Sequence, residues 1–390
     1  MMNGKRFGIT RRTALGASVV GLVLGLAACA PEAPRSEPSA DPEPKRTTAP
    51  SASPQPGTKP ELLLASLAKQ SDIAVIDPAL PDAQAVVRTI SVGGAPWGLG
   101  VHAESGVAYA ATAEGLAVVD LDAGKRTALV QYQHPAPFQS VGEYRPGGLG
   151  LAVSPDGSRV YVAVTTGEGR DNLEVFDTSK GVFVGSVAVG MRPFDVLVAP
   201  DGSWAATVDH DGFTVTVVDA VTLKPTQHTV APFGTEGGLA SWEKPHYGAV
   251  DADGTILLPY QGLVVARLDP LTGEVTTVKS NADSHSHGTA LAGQKLLTVG
   301  TGAFGNANGE PNLSILNLES GDEQVVPLSP PHETVAVWTN ALGAEFAALG
   351  GGNTRDEGWD GLTLVSLADL SVRSIPMPGY PQVVVSFAAR

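Results

Sequence analysis

The chain has 390 residues, with 40 Asp and Glu against 25 Lys and Arg, a single Cys, 46 Gly and 30 Pro. A net charge of −15 disfavours nucleic acid as a partner, because gripping a phosphate backbone needs a basic surface. One thiol excludes an internal disulfide and a zinc site built on several thiolates. With 43% apolar but only 6% aromatic residues, the composition suits a β-rich body with many tight turns, although length alone would allow two or three domains.

Residues 1–28 read as an address to be removed. Lys5, Arg6, Arg11 and Arg12 make a positive start, and the apolar stretch from Ala14 to Ala28 is too short to span a bilayer comfortably. Thr10-Arg11-Arg12-Thr13-Ala14-Leu15 resembles a twin-arginine export signal, and Leu26-Ala27-Ala28-Cys29 resembles a lipoprotein cleavage box. These resemblances imply cleavage before Cys29, lipidation of its thiol, and a protein anchored to the cell membrane on the extracytoplasmic side. Four basic residues and no acids leave with the signal, so the mature net charge becomes −19. Residues 29–59 begin at that Cys and continue as Pro, Ala, Ser and charged residues without aromatics. Such a segment buries too little apolar surface to offset its ordering entropy and is expected to be an extended tether.

Residues 60–390 repeat. Pro96-Trp97-Gly98, Pro146-Gly147-Gly148, Pro193-Phe194-Asp195, Pro245-His246-Tyr247, Ser286-His287-Gly288, Pro331-His332-Glu333 and Pro381-Gln382-Val383 each open an apolar strand, at spacings of 50, 47, 52, 41, 45 and 50 residues. These are the lengths of four-stranded propeller blades. Ser154-Pro155-Asp156-Gly157, Ala199-Pro200-Asp201-Gly202 and Asp251-Ala252-Asp253-Gly254 supply turns after the first strand, Pro presetting φ and Gly accepting a positive one. Third strands read Ile73–Asp77, Leu116–Asp120, Leu173–Asp177, Val215–Asp219 and Val265–Asp269, β-branched and ending on an acid. The seventh Pro-led strand falls at the C-terminus while outer strands stand at 62–65 and 73–77. The fold expected is therefore all-β: a seven-bladed β-propeller, similar to the YVTN type, whose ring is closed by the C-terminal strand joining the N-terminal blade.

Three of eight histidines, His246, His287 and His332, occupy the same register position, one residue into the innermost strand, in three consecutive blades, which places them at one mouth of the central channel. Neutral imidazole is a zinc ligand, and three or four N and O donors complete a tetrahedral site without thiols. Asp209, His210 and Asp211 lie in a loop opening on the same face, and His285 stands two residues before His287, so they are further ligands or their supports. His102, His134 and His228 fall on turns or outer positions and read as solvated. The loops around Asn306 and Arg355 open on the mouth face as well and form a candidate docking surface. No nucleophile elbow, P-loop or His-Glu-x-x-His motif occurs in the mature chain.

Pro245-His246-Tyr247-Gly248, Ser286-His287-Gly288, Pro331-His332-Glu333 and the run from Pro193 to Asp211 resemble the AztD family of zinc metallochaperones. Members of that family are extracytoplasmic propellers that bind zinc and hand it to the solute-binding protein of a zinc ABC importer. The resemblance implies zinc as cargo, that solute-binding protein as partner, and no enzymatic activity. Residues 30–59 lack the His-rich segment often carried by the family. Two other readings stay open at this point: a propeller enzyme, lactonase- or quinoprotein-like, using a metal or cofactor in the same mouth, and a surface protein-interaction module.

Overall fold

The apolar, β-branched runs pair into strands because each repeat alternates such a run with a tight turn. In a computed structural model, the described residues are 61–388 except 168, 170, 242, 261–262, 282–285, 304–308 and 353–357. The signal, Cys29 and the tether, as well as His285, Asn306 and Arg355, lie outside them. Among the described residues, 28 strands form seven antiparallel sheets of four. The chain is a seven-bladed β-propeller.

Blade 1 joins Pro381–Ala388, as its innermost strand, to Glu61–Leu67, Asp72–Ile76 and Val86–Ser91. Blades 2 to 7 follow in sequence, with innermost strands Leu99–His102, Gly147–Val153, Pro193–Val198, Ala249–Val250, Ser286–Ala292 and Thr334–Thr339. The expected ring closure is present: Leu63 opposes Ser386, Leu64 opposes Val385 and Ala65 opposes Val384. Gly157, Gly202 and Gly254, the glycines of the anticipated turns, have φ of 68°, 74° and 89°.

Seven apolar clusters fill the seams between adjacent blades, so the core is distributed around the ring. Each innermost strand starts at one face, and antiparallel order returns the second-to-third-strand loops and the blade-to-blade connections to that same face. The long connections 131–146 and 231–248 therefore overhang one mouth of the channel.

Close approach of the innermost strands sets which side chains reach that mouth. The Gly98 N–H donates to the Leu149 carbonyl at 3.0 Å and the Gly288 N–H to the Glu333 carbonyl. Gly150 lies against the carbonyl of Phe194, and the Thr334 hydroxyl donates to the carbonyl of Gln382. Leu149, Phe194, Glu333 and Gln382 are thus equivalent positions, each facing the preceding blade's inner strand. Trp97 and His287 precede Gly98 and Gly288 in the same way, and Tyr247 precedes Gly248, whose N–H meets Asp195 of the preceding blade. Trp97, Leu149 and Phe194 form an apolar plug with Ala68. Tyr247, Glu333 and Gln382 occupy the remaining arc, and the backbone of His287 stands at the equivalent position of blade 6.

A methyl group added at Gly98 would stand 2.4 Å from the Leu149 oxygen and 2.8 Å from the Leu151 nitrogen, both backbone atoms that cannot turn aside. We expect Gly98→Ala to destabilise the propeller by about 1–3 kcal/mol, read as a lowered urea midpoint at unchanged m-value.

Candidate metal centre

His246 enters the mouth from the connection into blade 5 and is 1% exposed. Its ring stacks on Tyr247 (centroids 4.9 Å apart, 21° between planes) and packs against Phe194 and His210, each at 4.7 Å. His246 Nε2 lies 3.2 Å from Oε1 of Glu143, which descends from the connection 131–146. Glu333 approaches from blade 7. One donor atom from each of Glu143, His246 and Glu333 falls within 4.8 Å of the others, and all three residues are buried. Side chains from an inter-blade connection, blade 5 and blade 7 thereby offer two carboxylate oxygens and one imidazole nitrogen to a single point.

The overhanging connections are tied down around this cluster. Tyr144 meets Phe194 edge-on at 5.9 Å and carries the Arg192 guanidinium over its ring at 4.2 Å. Arg145 is buried and donates to the carbonyls of Pro146 (3.0 Å) and Gly148 (2.6 Å), which anchors the base of the loop carrying Glu143. Burial pulls this guanidinium down to about 10, still charged at neutral pH. Asp211 receives Lys244 Nζ at 2.7 Å and Arg192 Nε at 2.9 Å. An open depression of about 580 Å³ lies above, lined by Glu143, Tyr144, Arg145, Arg192, Asp211 and Leu239. Below the mouth, a channel cavity of about 140 Å³ is lined by Trp97, Asp195, Tyr247, Thr289, Thr334 and Val384 among others.

The residues singled out in the sequence are distributed as follows. His210 lies beside His246, its Nδ1 2.9 Å from the Pro245 carbonyl oxygen and its Nε2 3.9 Å from Asp211. Asp211 is engaged in the Arg192 and Lys244 ion pairs. Asp209 turns into its own blade, where Thr207, Thr214 and Thr216 donate their hydroxyls to it at 2.6, 3.0 and 2.6 Å. His332 also turns into its blade, with Nε2 2.7 Å from the Thr363 hydroxyl, and its neighbour Glu333 faces His246 instead. The register also corrects the expected alignment: His287 is equivalent to Tyr247 and Glu333, whereas His246 and His332 both stand one residue earlier, and of those two only His246 reaches the cluster. His287 lies on the innermost strand of blade 6. Its side chain, like all of His285 and Cys29, falls outside what the structure describes.

Burial pulls both His210 and His332 down to about 4, in His210 against the upward pull of Asp211, so both imidazoles are neutral at pH 7. Burial pushes Asp209 up to about 6 and Asp195, which accepts the Gly248 and Val196 N–H groups, up to about 7. The Tyr247 phenol is pushed well above its ordinary value by burial and then by Glu333, and it stays protonated.

No family model and no curated protein matches the sequence. Among solved structures, hydrazine synthase of Kuenenia stuttgartiensis is similar at 16% identity and a TM-score of 0.50 over 70% of this chain and 76% of that one. A functionally unknown protein from Desulfotomaculum acetoxidans DSM 771 is similar at 9% identity and a TM-score of 0.59, over 84% of this chain and 99% of that one. These likenesses establish the propeller and leave function to the site, since one fold hosts many chemistries.

His332 gives a pH test. Its folded value near 4 lies below the unfolded value of about 6.5, so between those values the unfolded chain binds a proton that the folded one refuses. The resulting contribution favours folding above about pH 6.5 and is lost as pH falls toward 4. His332→Gln, which never charges, should therefore be disadvantaged relative to wild type more at pH 7.5 than at pH 4.5, by roughly 1–3 kcal/mol in denaturation free energy.

Proposed function

We propose that this chain is an extracytoplasmic zinc-binding metallochaperone, lipid-anchored through Cys29, that hands zinc to the solute-binding protein of a zinc ABC importer. The observation that carries the reading is the convergence of Glu143, His246 and Glu333 at the mouth of the channel. Two carboxylates and a neutral imidazole suit Zn²⁺, which accepts nitrogen and oxygen donors at about 2.0–2.2 Å. Two negative charges held close together while buried repel each other, and a divalent ion relieves that repulsion. One donor, Glu143, stands on a connection rather than on a strand, beside a depression open to solvent. Both features suit cargo that must leave again. His210 supports His246 from the side, and His287 stands at the register position of Glu333 in the neighbouring blade.

A second reading draws on the oxygen majority of the donor set: a metal-dependent propeller hydrolase acting on lactones. Calcium, the ion expected for such a set, takes six to eight oxygen ligands, more than the described residues of this mouth supply.

Equilibrium dialysis of the purified protein at pH 7.5 should find zinc retained by wild type and by His332→Ala. His246→Ala and Glu333→Gln should each weaken binding by more than about 100-fold, beyond the loss typical of a supporting residue. Full zinc retention by the His246→Ala/Glu333→Gln double variant would refute the site, and calcium-stimulated lactone hydrolysis abolished by Glu333→Gln would favour the enzyme. For the partner, zinc-loaded wild type should load the apo solute-binding protein faster than a chelator of equal affinity does. Cys29→Ala should move the protein from the membrane to the soluble fraction.

A further inference from the structure

At the level of Glu333, the channel wall holds a polar side chain that neither the three donors nor the packing employs. Gln382 is 0% exposed, and among the described residues neither its amide oxygen nor its amide nitrogen has a hydrogen-bond partner. A buried primary amide in that condition is costly, and its persistence calls for a partner that arrives from outside.

The position of Gln382 shows where such a partner would sit. It occupies in blade 1 the place of Leu149, Phe194 and Glu333 in theirs, since its carbonyl receives the Thr334 hydroxyl of the preceding blade as the Glu333 carbonyl receives the Gly288 N–H. Side chains at equivalent strand positions leave the blade in the same sense. Phe194, at this position, touches the His246 ring, and Glu333, at this position, supplies a donor atom to the cluster. Gly352 bridges the two neighbours: its N–H donates to the Pro381 carbonyl at 2.9 Å, and a methyl group on it would stand 2.7 Å from Glu333 Oε2. The Gln382 backbone therefore adjoins that of blade 7 beside Glu333, and its side chain leaves the strand in the same sense as those of Glu333 and Phe194.

We propose that Gln382 supplies its amide oxygen as a fourth ligand to the cation held by Glu143, His246 and Glu333, an inference that rests on the metal reading above. The charge arithmetic favours it. Two carboxylates neutralise a divalent ion, and a neutral imidazole and a neutral amide then fill a tetrahedral shell without leaving net charge in a buried site. The added oxygen also makes the set harder, which lowers its preference for soft ions such as Cu(I). Because Gln382 lies on the strand that closes the ring, the bound ion ties that strand to blades 5 and 7, and zinc should raise the unfolding temperature of the whole propeller.

Zinc competition against a chromophoric chelator, with the purified full-length chain, tests the assignment. Gln382→Leu should lower zinc affinity by about 10–100-fold while the metal-free variant unfolds at the same or a higher temperature, because the unpartnered amide is gone. Gln382→Glu should keep tight binding but lose it more steeply on acidification, since another carboxylate must then be deprotonated to bind the metal. Zinc affinity of Gln382→Leu within about threefold of wild type would overturn the ligand role and leave the three-donor site standing. If Gln382→Leu does not fold, a wild-type pH slope in Gln382→Glu overturns it instead. Failure of wild type to bind zinc would overturn both readings.

Discussion

Closure of the ring is the constraint on which everything else rests. A four-stranded blade has two faces and covers neither by itself, so each apolar cluster is completed by the next blade around the circle. The last seam closes only because residues 381–388 pair with 61–67 and so place strands from the two ends of the propeller in one sheet. That seam is reinforced from blade 7. The Trp338 indole donates to the Glu61 carbonyl at 2.8 Å, and the Glu61 carboxylate accepts the Thr339 N–H and the Ser386 hydroxyl, each at 2.8 Å. An open seam would expose two apolar faces and two sheet edges at once.

Crowding at the centre follows from closure and determines the chemistry of the mouth. Seven inner strands converge closely enough that Gly98, Gly150 and Gly288 lie directly against the backbone of the next blade. One residue before that contact, the described side chains turn toward the mouth. Three adjoining positions are filled by Trp97, Leu149 and Phe194, which seal one side, and Tyr247, Glu333 and Gln382 make the other side polar. Glu143 arrives from the connection before blade 3 and meets His246 over this boundary. The apolar plug keeps water from one flank of the donors, and in that setting charge pairing is stronger than at a free surface.

The neutrality of the surrounding imidazoles has the same origin. His210 and His332 are held uncharged by burial, so neither competes with a cation by carrying its own charge. They differ in partners: His210 is oriented by the Pro245 carbonyl beside His246, whereas His332 is spent on Thr363 inside its blade. The two buried histidines therefore have different surroundings: one sits in a loop at the mouth and the other turns into its own blade.

The architecture was legible in the sequence because it is written in local signals. Pro-led strands at regular spacing, Pro-Asp-Gly turns and β-branched runs ending on an acid each depend on a few neighbouring residues, and a C-terminal seventh strand facing unpaired N-terminal ones implies the closing pair. The region of the site was legible too, since strand direction alone sends His246, His210 and Glu333 to one face. Which atoms meet was decided only by tertiary structure. The sequence repeat aligned His246, His287 and His332, but inner-strand contacts set His287 level with Tyr247 and Glu333, one residue on from the other two, and only packing turns His332 into its blade while Glu333 reaches the centre. Asp209, conspicuous beside His210, is turned inward by three threonine hydroxyls on its own blade. Glu143 lies in a connection with no repeat signal, and Gln382 in a strand that reads as ordinary apolar sequence. Their place at the mouth comes from the circular packing of seven blades, an arrangement of residues far apart in the chain that no local pattern encodes.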